Sequence, residues 1–502
     1  MGSPHLPVFF LLNAIAAAIA GVSSWRLWGG RLLFLFLFTG CSTVPTHYAL
    51  VEQSLLAGDA KQAAAVLEQA QQAYGTKNQV LYGMDRGMVL HLAGEYQASN
   101  GALERAEQEV DELYTRRIRT ETKAFLVNNT ELPFEGAPYE HVMVNVVKAL
   151  NYAAMGNLQE ALVEARRIDN RLNVLADRRT GKSDYTDDPF SRYLSGMLYE
   201  SAGEFNDALI AYRKAYEGYQ KGGTWLKTPL PFQLKEDLLR VSDALHFTEE
   251  HEGYRQSFPD VQWKPQTELE SLAQVLVISY NGRAPKKEDH FLDIPVSREA
   301  FQFVLLNKAG VFNRPGMQSD RAVESVWYGL SGRVVRVALP RLVQQKTTVR
   351  NEDVRLVGPT EIYSGKTVLV QNITALAEKQ LSEEFASTSV KAVARSIVKF
   401  TLAEAAGRGA QAAAGKDAGP LVGFLVGAIA KGIAIASEES DKRSWRTLPD
   451  EIQIARVWVP PGTYGYVVET GGRTPSTGPA KSSQSLNLRR GETRVLIERV
   501  MS

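Results

Sequence analysis

The chain has 502 residues, enough for two or three domains, and its 57 lysines and arginines almost balance 56 aspartates and glutamates. That balance leaves no concentrated basic face of the kind nucleic-acid binders need, so nucleic acid is not an expected partner. With 44% hydrophobic residues it reads as globular, and its single cysteine excludes an internal disulfide framework.

Residues 31–45 read RLLFLFLFTGCSTVP, with the single cysteine at Cys41. Arg26 and Arg31 supply a positive segment, residues 32–38 an apolar one, and Thr39-Gly40 the small pair that fits a peptidase cleft. This resembles a bacterial lipoprotein signal, departing from it where Phe38 stands in place of the commoner leucine. The resemblance implies that Cys41 is lipidated and becomes the mature N-terminus; the alternative is a buried cysteine closing an apolar helix. Residues 7–22 form another apolar run, short of the ~20 needed to cross a bilayer as a helix. Two export signals in tandem are redundant, so residues 1–40 are expected to be a signal peptide whose true start lies near Val22. Ser42 is not the aspartate that marks inner-membrane retention, which points to the outer membrane, periplasmic side, with the membrane reached through the lipid anchor.

Four following segments align without gaps: AGDAKQAAAVLEQA from Ala57, AGEYQASNGALERA from Ala93, MGNLQEALVEARRI from Met155 and AGEFNDALIAYRKA from Ala202. Each has glycine second (Gly58, Gly94, Gly156, Gly203) and a small residue five places on (Ala63, Ser99, Ala161, Ala208). The spacing predicts helical hairpins, because glycine tolerates the left-handed conformation that ends one helix and the small residue lets the next approach closely. It resembles the TPR repeat, best in the last copy, at Gly196, Tyr199, Gly203, Phe205, Ala208, Tyr212 and Ala215. The glycines are 36, 62 and 47 residues apart, against a TPR period of about 34, so the array expected over residues 41–255 is interrupted. In a TPR superhelix the first helix of each pair lines the concave groove. Carried over, that register implies a partner groove of Leu81, Met84, Met88, His91, Met143, Val146, Leu150, Tyr193, Met197 and Glu200. Methionines suit an adaptable groove, but an apolar stripe at helical spacing is more often the mark of a packed core, and both readings stand.

From residue 272 the period shortens. LAQVLVISYNG, GRVVRVALPRLV, EIQIARVWVPPGTYGYVVE and ETRVLIERV are runs rich in valine, isoleucine and aromatics between Gly, Pro and Asn turns, the signature of antiparallel strands. The expected fold class is therefore α+β: a TPR-like α-solenoid followed by a small antiparallel β-sandwich over 265–502, with a helical insertion at about 373–440. Within that insertion Val390, Val393, Ile397 and Phe400 share one helix face and Lys391, Arg395 and Lys399 another. Residues 419–437 then form an apolar helix with Gly423, Gly427 and Gly432, which reads as a buried hairpin or, alternatively, as a membrane-active or self-associating element.

Several strings resemble catalytic motifs and fail on spacing. YSGKTV lacks the first P-loop glycine, with Thr360 in its place, and HEGYR has Arg255 where a zinc-protease helix needs its second histidine. Asp187-Asp188 beside Pro189 read as a turn or helix cap, and Glu164, Arg166 and Arg167 as surface ion pairs. No catalytic residue, metal site or cofactor is expected, and an enzyme is not the favoured class.

Two longer stretches, FEGAPYEHVMVNVVKALNYAAMGNLQEALVEARRIDNRLN and DDPFSRYLSGMLYESAGEFNDALIAYRKAYEGY, together with SWRTLPDEIQIARVWVPPGTY, resemble a widespread family of bacterial envelope lipoproteins with TPR-like repeats. The resemblance implies a fold and a location, and with them a scaffold or adaptor that recruits an envelope protein or peptide for assembly or export. A secretion component using residues 419–437, and a hydrolase with an unrecognised site, are the alternatives.

Overall fold

The structure is a computed structural model. It describes residues 46–118, 132–178, 188–295, 334–385, 439–471 and 484–501, with isolated positions at 298, 332, 388–389 and 392. Cys41 and the whole signal segment, Val22 included, lie outside the described residues. So do Val390, Val393 and the glycines of residues 419–437.

The first half is helical: α1 (Thr46–Leu56), α2 (Ala60–Gln69), α3 (Gln71–Tyr74), α4 (Gln79–Leu92), α5 (Tyr96–Ile118), α6 (Pro138–Ala154), α7 (Leu158–Arg178), α8 (Pro189–Ser201), α9 (Phe205–Leu226), α10 (Phe232–Ala244), α11 (Thr248–Ser257) and α12 (Gln266–Leu269). Five hairpins repeat within it: α1/α2, α4/α5, α6/α7, α8/α9 and α10/α11. Gly58, Gly94, Gly156 and Gly203 all have φ between +76° and +77°. Each turn closes with the same two bonds, the glycine N–H to the carbonyl three residues back and the next N–H to the carbonyl five back, as in Gly203 to Glu200 and Glu204 to Tyr199. The fifth turn makes the same pair, His246 to Asp243 and Phe247 to Ser242, but with His246 at φ +58°. Glycine spacing alone therefore marks four repeats, where the described backbone has five.

Helix starts follow local chemistry. Asp59 accepts from the Gln62 N–H at 2.9 Å, and Pro138 and Pro189 sit at first-turn positions where no N–H is needed. Asp188 caps α8 by accepting from the Ser191 N–H at 3.0 Å. Inside the hairpins Ala63, Ser99, Ala161 and Ala208 are fully buried. A Cβ on Gly196 would lie 2.4 Å from the Tyr212 ring, so only glycine lets α8 meet α9 at this distance.

The second half comprises β1 (Ala273–Asn281), β2 (Lys286–Pro295), β3 (Val334–Val343), β4 (Asn351–Val357), β5 (Ile362–Lys366), β6 (Val368–Asn372), β7 (Glu451–Val459), β8 (Gly462–Gly471), β9 (Gln484–Leu488) and β10 (Thr493–Val500). One sheet has the order β10-β1-β7-β6, a second β5-β4-β8-β9, and β2 and β3 form a separate two-stranded ribbon. The strands are antiparallel except β10, which runs parallel to β1 with Arg499 opposite Tyr280. This corrects the all-antiparallel expectation: more than 200 residues separate the two strands, so no hairpin dictates their direction. PPGTYGY likewise joins strands of different sheets, turning the chain at Pro460 from β7 in one to β8 in the other. Ala273, Val275, Val277, Ala455 and Val457 meet Val354, Leu356, Tyr464, Tyr466 and Leu486 between the two main sheets. After β6, Asn372 Oδ1 accepts from the Ala375 N–H at 2.7 Å and opens a helix over residues 373–385.

The molecule does not divide near residue 260. The described residues from Leu50 onward form one compact unit, because the sheets pack into the solenoid rather than standing beside it.

Candidate functional site

Alternation along a strand sends successive side chains to opposite faces. In β1, Ala273, Val275 and Val277 enter the sandwich core, which leaves Gln274, Leu276, Ile278 and Tyr280 on the other face. In β7 the corresponding outward set is Ile452, Ile454, Arg456 and Trp458. This second face lies against the first helices of the hairpins, the surface expected to form an open partner groove.

The expected groove residues are therefore interior. Met84, Met88, His91, Met143, Val146, Tyr193, Met197 and Glu200 are all between 0% and 7% exposed, as are Leu81 and Leu150. Of the two readings of this stripe, packed core is the one the structure shows, and these residues are not open to a partner. The sheet supplies the surface that a bound peptide would otherwise bury.

Polar groups on this seam are paired through the sheet. The Tyr280 hydroxyl is 3.1 Å from His91 Nε2, and His91 Nδ1 is 2.6 Å from Asn151 Oδ1. Asn151 Nδ2 donates to Ser99 Oγ at 2.9 Å, and Ser99 Oγ donates to the Gly87 carbonyl at 2.6 Å. Burial depresses His91 to about 4, so the ring is neutral near pH 7 and one chain of bonds links β1 to α6, α5 and α4.

A charged cluster does the same further along. Arg456 on β7 donates to Asp237 Oδ2 at 2.6 Å and to Glu200 Oε2 at 3.2 Å, while Arg240 bonds both carboxylates from α10. The Tyr193 hydroxyl donates to Asp237 at 2.8 Å and the Tyr212 hydroxyl to Glu200 at 2.5 Å. The Glu200, Asp237, Arg240 and Arg456 side chains are each 4% exposed. Burial alone raises Glu200, but the Arg240 and Arg456 guanidiniums outweigh it and hold it below the usual carboxylate range. Two acids and two arginines bonded to one another across the seam make a neutral structural joint.

Elsewhere Lys148 meets Glu107 at 3.0 Å and Glu164 at 3.1 Å, so Glu164 is a buried partner of α6 rather than a surface ion pair. Asp188, besides capping α8, accepts from Gln371 Nε2 of β6 at 2.9 Å. The Tyr219 hydroxyl donates to the Val370 carbonyl at 2.7 Å.

The groove's other end is filled differently. Residues 439–445 cross it without helix or strand and lead into turns at 446–448. Glu140 Oε1 accepts from the Trp445 N–H at 2.7 Å, and Asp85 Oδ1 from the Thr447 hydroxyl at 3.0 Å. Trp445 is among the largest fully buried side chains. Sequence reading missed this strap because its residues carry no periodic pattern; its signal was a tryptophan in an otherwise polar stretch, SDKRSWRT.

A cleft of about 360 Å³ opens at the seam, between the α6/α7 turn, the end of α8 and the start of β10, with Leu158, Leu198 and Leu276 in its wall and Glu492 and Arg494 at its rim. Among the described residues no group of three or more His, Cys, Asp or Glu is placed to hold a metal ion, and no helix is long and apolar enough to cross a membrane.

No family model matches the chain, and no curated protein does. Among solved structures, MamA from Desulfovibrio magneticus RS-1 aligns with 43% of this chain and 91% of its own, at 13% identity and a TM-score of 0.27. MamA of AMB-1 aligns with 43% and 90% at 14% identity and 0.27. A Podospora anserina protein with nearly identical TPR-like repeats aligns with 43% and 93% at 16% identity and 0.28. Likeness at this level carries nothing about what the chain binds; the repeated hairpins themselves make the helical half TPR-like.

Proposed function

We propose that this chain is a lipid-anchored scaffold of the bacterial envelope. In this reading Cys41 is acylated, the preceding segment is removed, and the molecule is held on the periplasmic side of the outer membrane. There it recruits envelope proteins for assembly or export. The observation that carries the scaffold role is the five-hairpin array with one repeated turn geometry, an architecture whose stacked units present long continuous surfaces suited to protein contacts. The charge and spacing around Cys41 support the anchor. Because β1 and β7 lie against the first helices of the hairpins, the sheet stiffens the solenoid, and recruitment uses the surfaces that the sheet leaves uncovered. The reading assigns no catalytic residue, metal or cofactor.

Cys41→Ser tests the anchor, since serine offers no thiol for lipid transfer. The variant should accumulate as uncleaved precursor or leave the membrane fraction. A normal mature mass with unchanged membrane retention would remove the lipoprotein reading. Crosslinking in native membranes followed by reciprocal purification tests the scaffold role, with the same envelope protein expected from both directions.

A further inference from the structure

Connecting segments ordinarily run over a protein's surface, because a buried irregular backbone loses its hydrogen bonds to water. Residues 439–447 break that rule in a specific way: side chains of β2 and of α6 supply several of the missing partners, and the strap's own Asp441 accepts from the Arg443 N–H. Asp289 of β2 accepts from the Ser440 N–H at 2.9 Å and Glu140 of α6 from the Trp445 N–H at 2.7 Å. Lys287 Nζ donates to the Arg443 carbonyl at 3.3 Å. Side chains, not a strand ladder, hold this backbone, which is how grooves hold extended peptides.

The side chains of the strap match the groove in charge. Lys442 pairs with Asp289 at 2.7 Å and Arg446 with Glu52 of α1 at 3.0 Å. Arg443 donates to Asn78 Oδ1 at 3.0 Å and to the Leu132 carbonyl at 2.9 Å, with its guanidinium 5.5 Å from the centre of the Phe134 ring. Trp445 is the anchor, 1% exposed, its indole N–H donating to Thr447 Oγ1 at 2.9 Å. A buried tryptophan flanked by clamped arginines is the composition of a binding hot spot. The strap's own sequence is nevertheless imperfect: Ser444 Oγ is buried with no hydrogen-bond partner, a defect that alanine or glycine at that place would not carry.

We propose that the strap is an intramolecular stand-in, and that the groove over α1, α4 and α6 receives in its place an extended segment of a partner protein carrying tryptophan beside arginine or lysine. The proposal rests on the scaffold reading only in taking the occupant to be protein. Being tethered, the strap competes at a high effective concentration, so the groove is closed at rest and opens to a partner whose segment fits better.

The test uses the full chain and a fluorescein-labelled peptide of residues 439–448, ESDKRSWRTL, with its Trp→Ala version as control. Fluorescence polarisation is read on wild type and on Trp445→Gly. The variant should bind the peptide at least tenfold more tightly than wild type does, and neither should take up the control peptide. Equal affinity of both proteins, or equal binding of the two peptides, would overturn the proposal. Should Trp445→Gly fail to fold, Arg443→Ala with Arg446→Ala loosens the strap while leaving the indole in place; peptide affinity no better than wild type's would then overturn it. A dimer of that double variant, unaffected by added peptide, would assign the groove to the strap of a second copy and likewise overturn the partner claim. Failure in any of these arms leaves the Cys41 anchor and recruitment through other surfaces standing, because neither enters the peptide measurement.

Discussion

Replacing Arg456 with methionine removes a guanidinium bonded to Asp237 at 2.6 Å and to Glu200 at 3.2 Å, in a cluster of two acids and two arginines each 4% exposed. Methionine keeps much of the apolar stem, so the lost interaction is chiefly electrostatic. One negative charge is left in excess in a site that water does not reach. Removing one partner of a buried pair typically costs ~3–5 kcal/mol, far above the ~0–1 kcal/mol of an exposed pair. With an unfolding entropy of about 2.1 cal/mol/K per residue over roughly 450 residues, that is a fall in Tm of about 3–5 °C. Adding Glu200→Gln restores neutrality, since Asp237 and Arg240 remain paired. The double variant should therefore recover stability relative to Arg456→Met alone, with a coupling energy of about 1–3 kcal/mol. Calorimetry of the four members of the cycle measures it, and hydrogen exchange in α8 and α10 locates it. A loss below about 1 kcal/mol for Arg456→Met, or strictly additive costs, would show that the cluster does not join the sheet to the solenoid as an electrostatic unit.

Three further outcomes follow from particular positions. Ala208 is fully buried between α8 and α9, so Ala208→Leu overpacks the hairpin and should cost ~1–3 kcal/mol; an unchanged melting curve would mean the small residue is not at the helix contact. His246 is exposed at φ +58°, where a side chain costs ~1–2 kcal/mol relative to glycine, so His246→Gly should raise stability by about 1 kcal/mol, and a loss would show that the imidazole matters to the fifth turn. Burial, and then the charge of Asp237, push Glu236 up to about 7, above its unfolded value, so the native state holds a proton that the unfolded chain releases at lower pH. The wild type therefore loses this contribution as pH rises through about 7. Glu236→Gln should gain stability relative to wild type between pH 5 and pH 8 in urea titrations, and a difference that does not change with pH would contradict the raised value.

Local signals in this chain were readable because local physics sets them. A glycine that must adopt positive φ, a small residue where two helices meet, a proline or aspartate at a helix start and a run of β-branched residues each act within a few positions. Hence four hairpin turns, the caps at Asp59 and Asp188, and the strands around Ala273, Val334, Glu451 and Thr493 match chemistry visible in the sequence. β2, β4, β5 and β9 were less visible, because polar or charged residues interrupt their apolar positions. What fills the concave face lies beyond any such window. A stripe of Met84, Met88, Met143 and Met197 looks the same whether it meets solvent, a partner or the chain's own sheet. The choice is made by contacts such as His91 with Tyr280, 189 residues apart, and Asp85 with Thr447, 362 apart. Helical periodicity says which face must be covered. Only the packing of distant segments against it, with their charges neutralised pair by pair at Arg456 and Trp445's backbone held by Glu140, decides that the cover is β1, β7 and a strap without secondary structure.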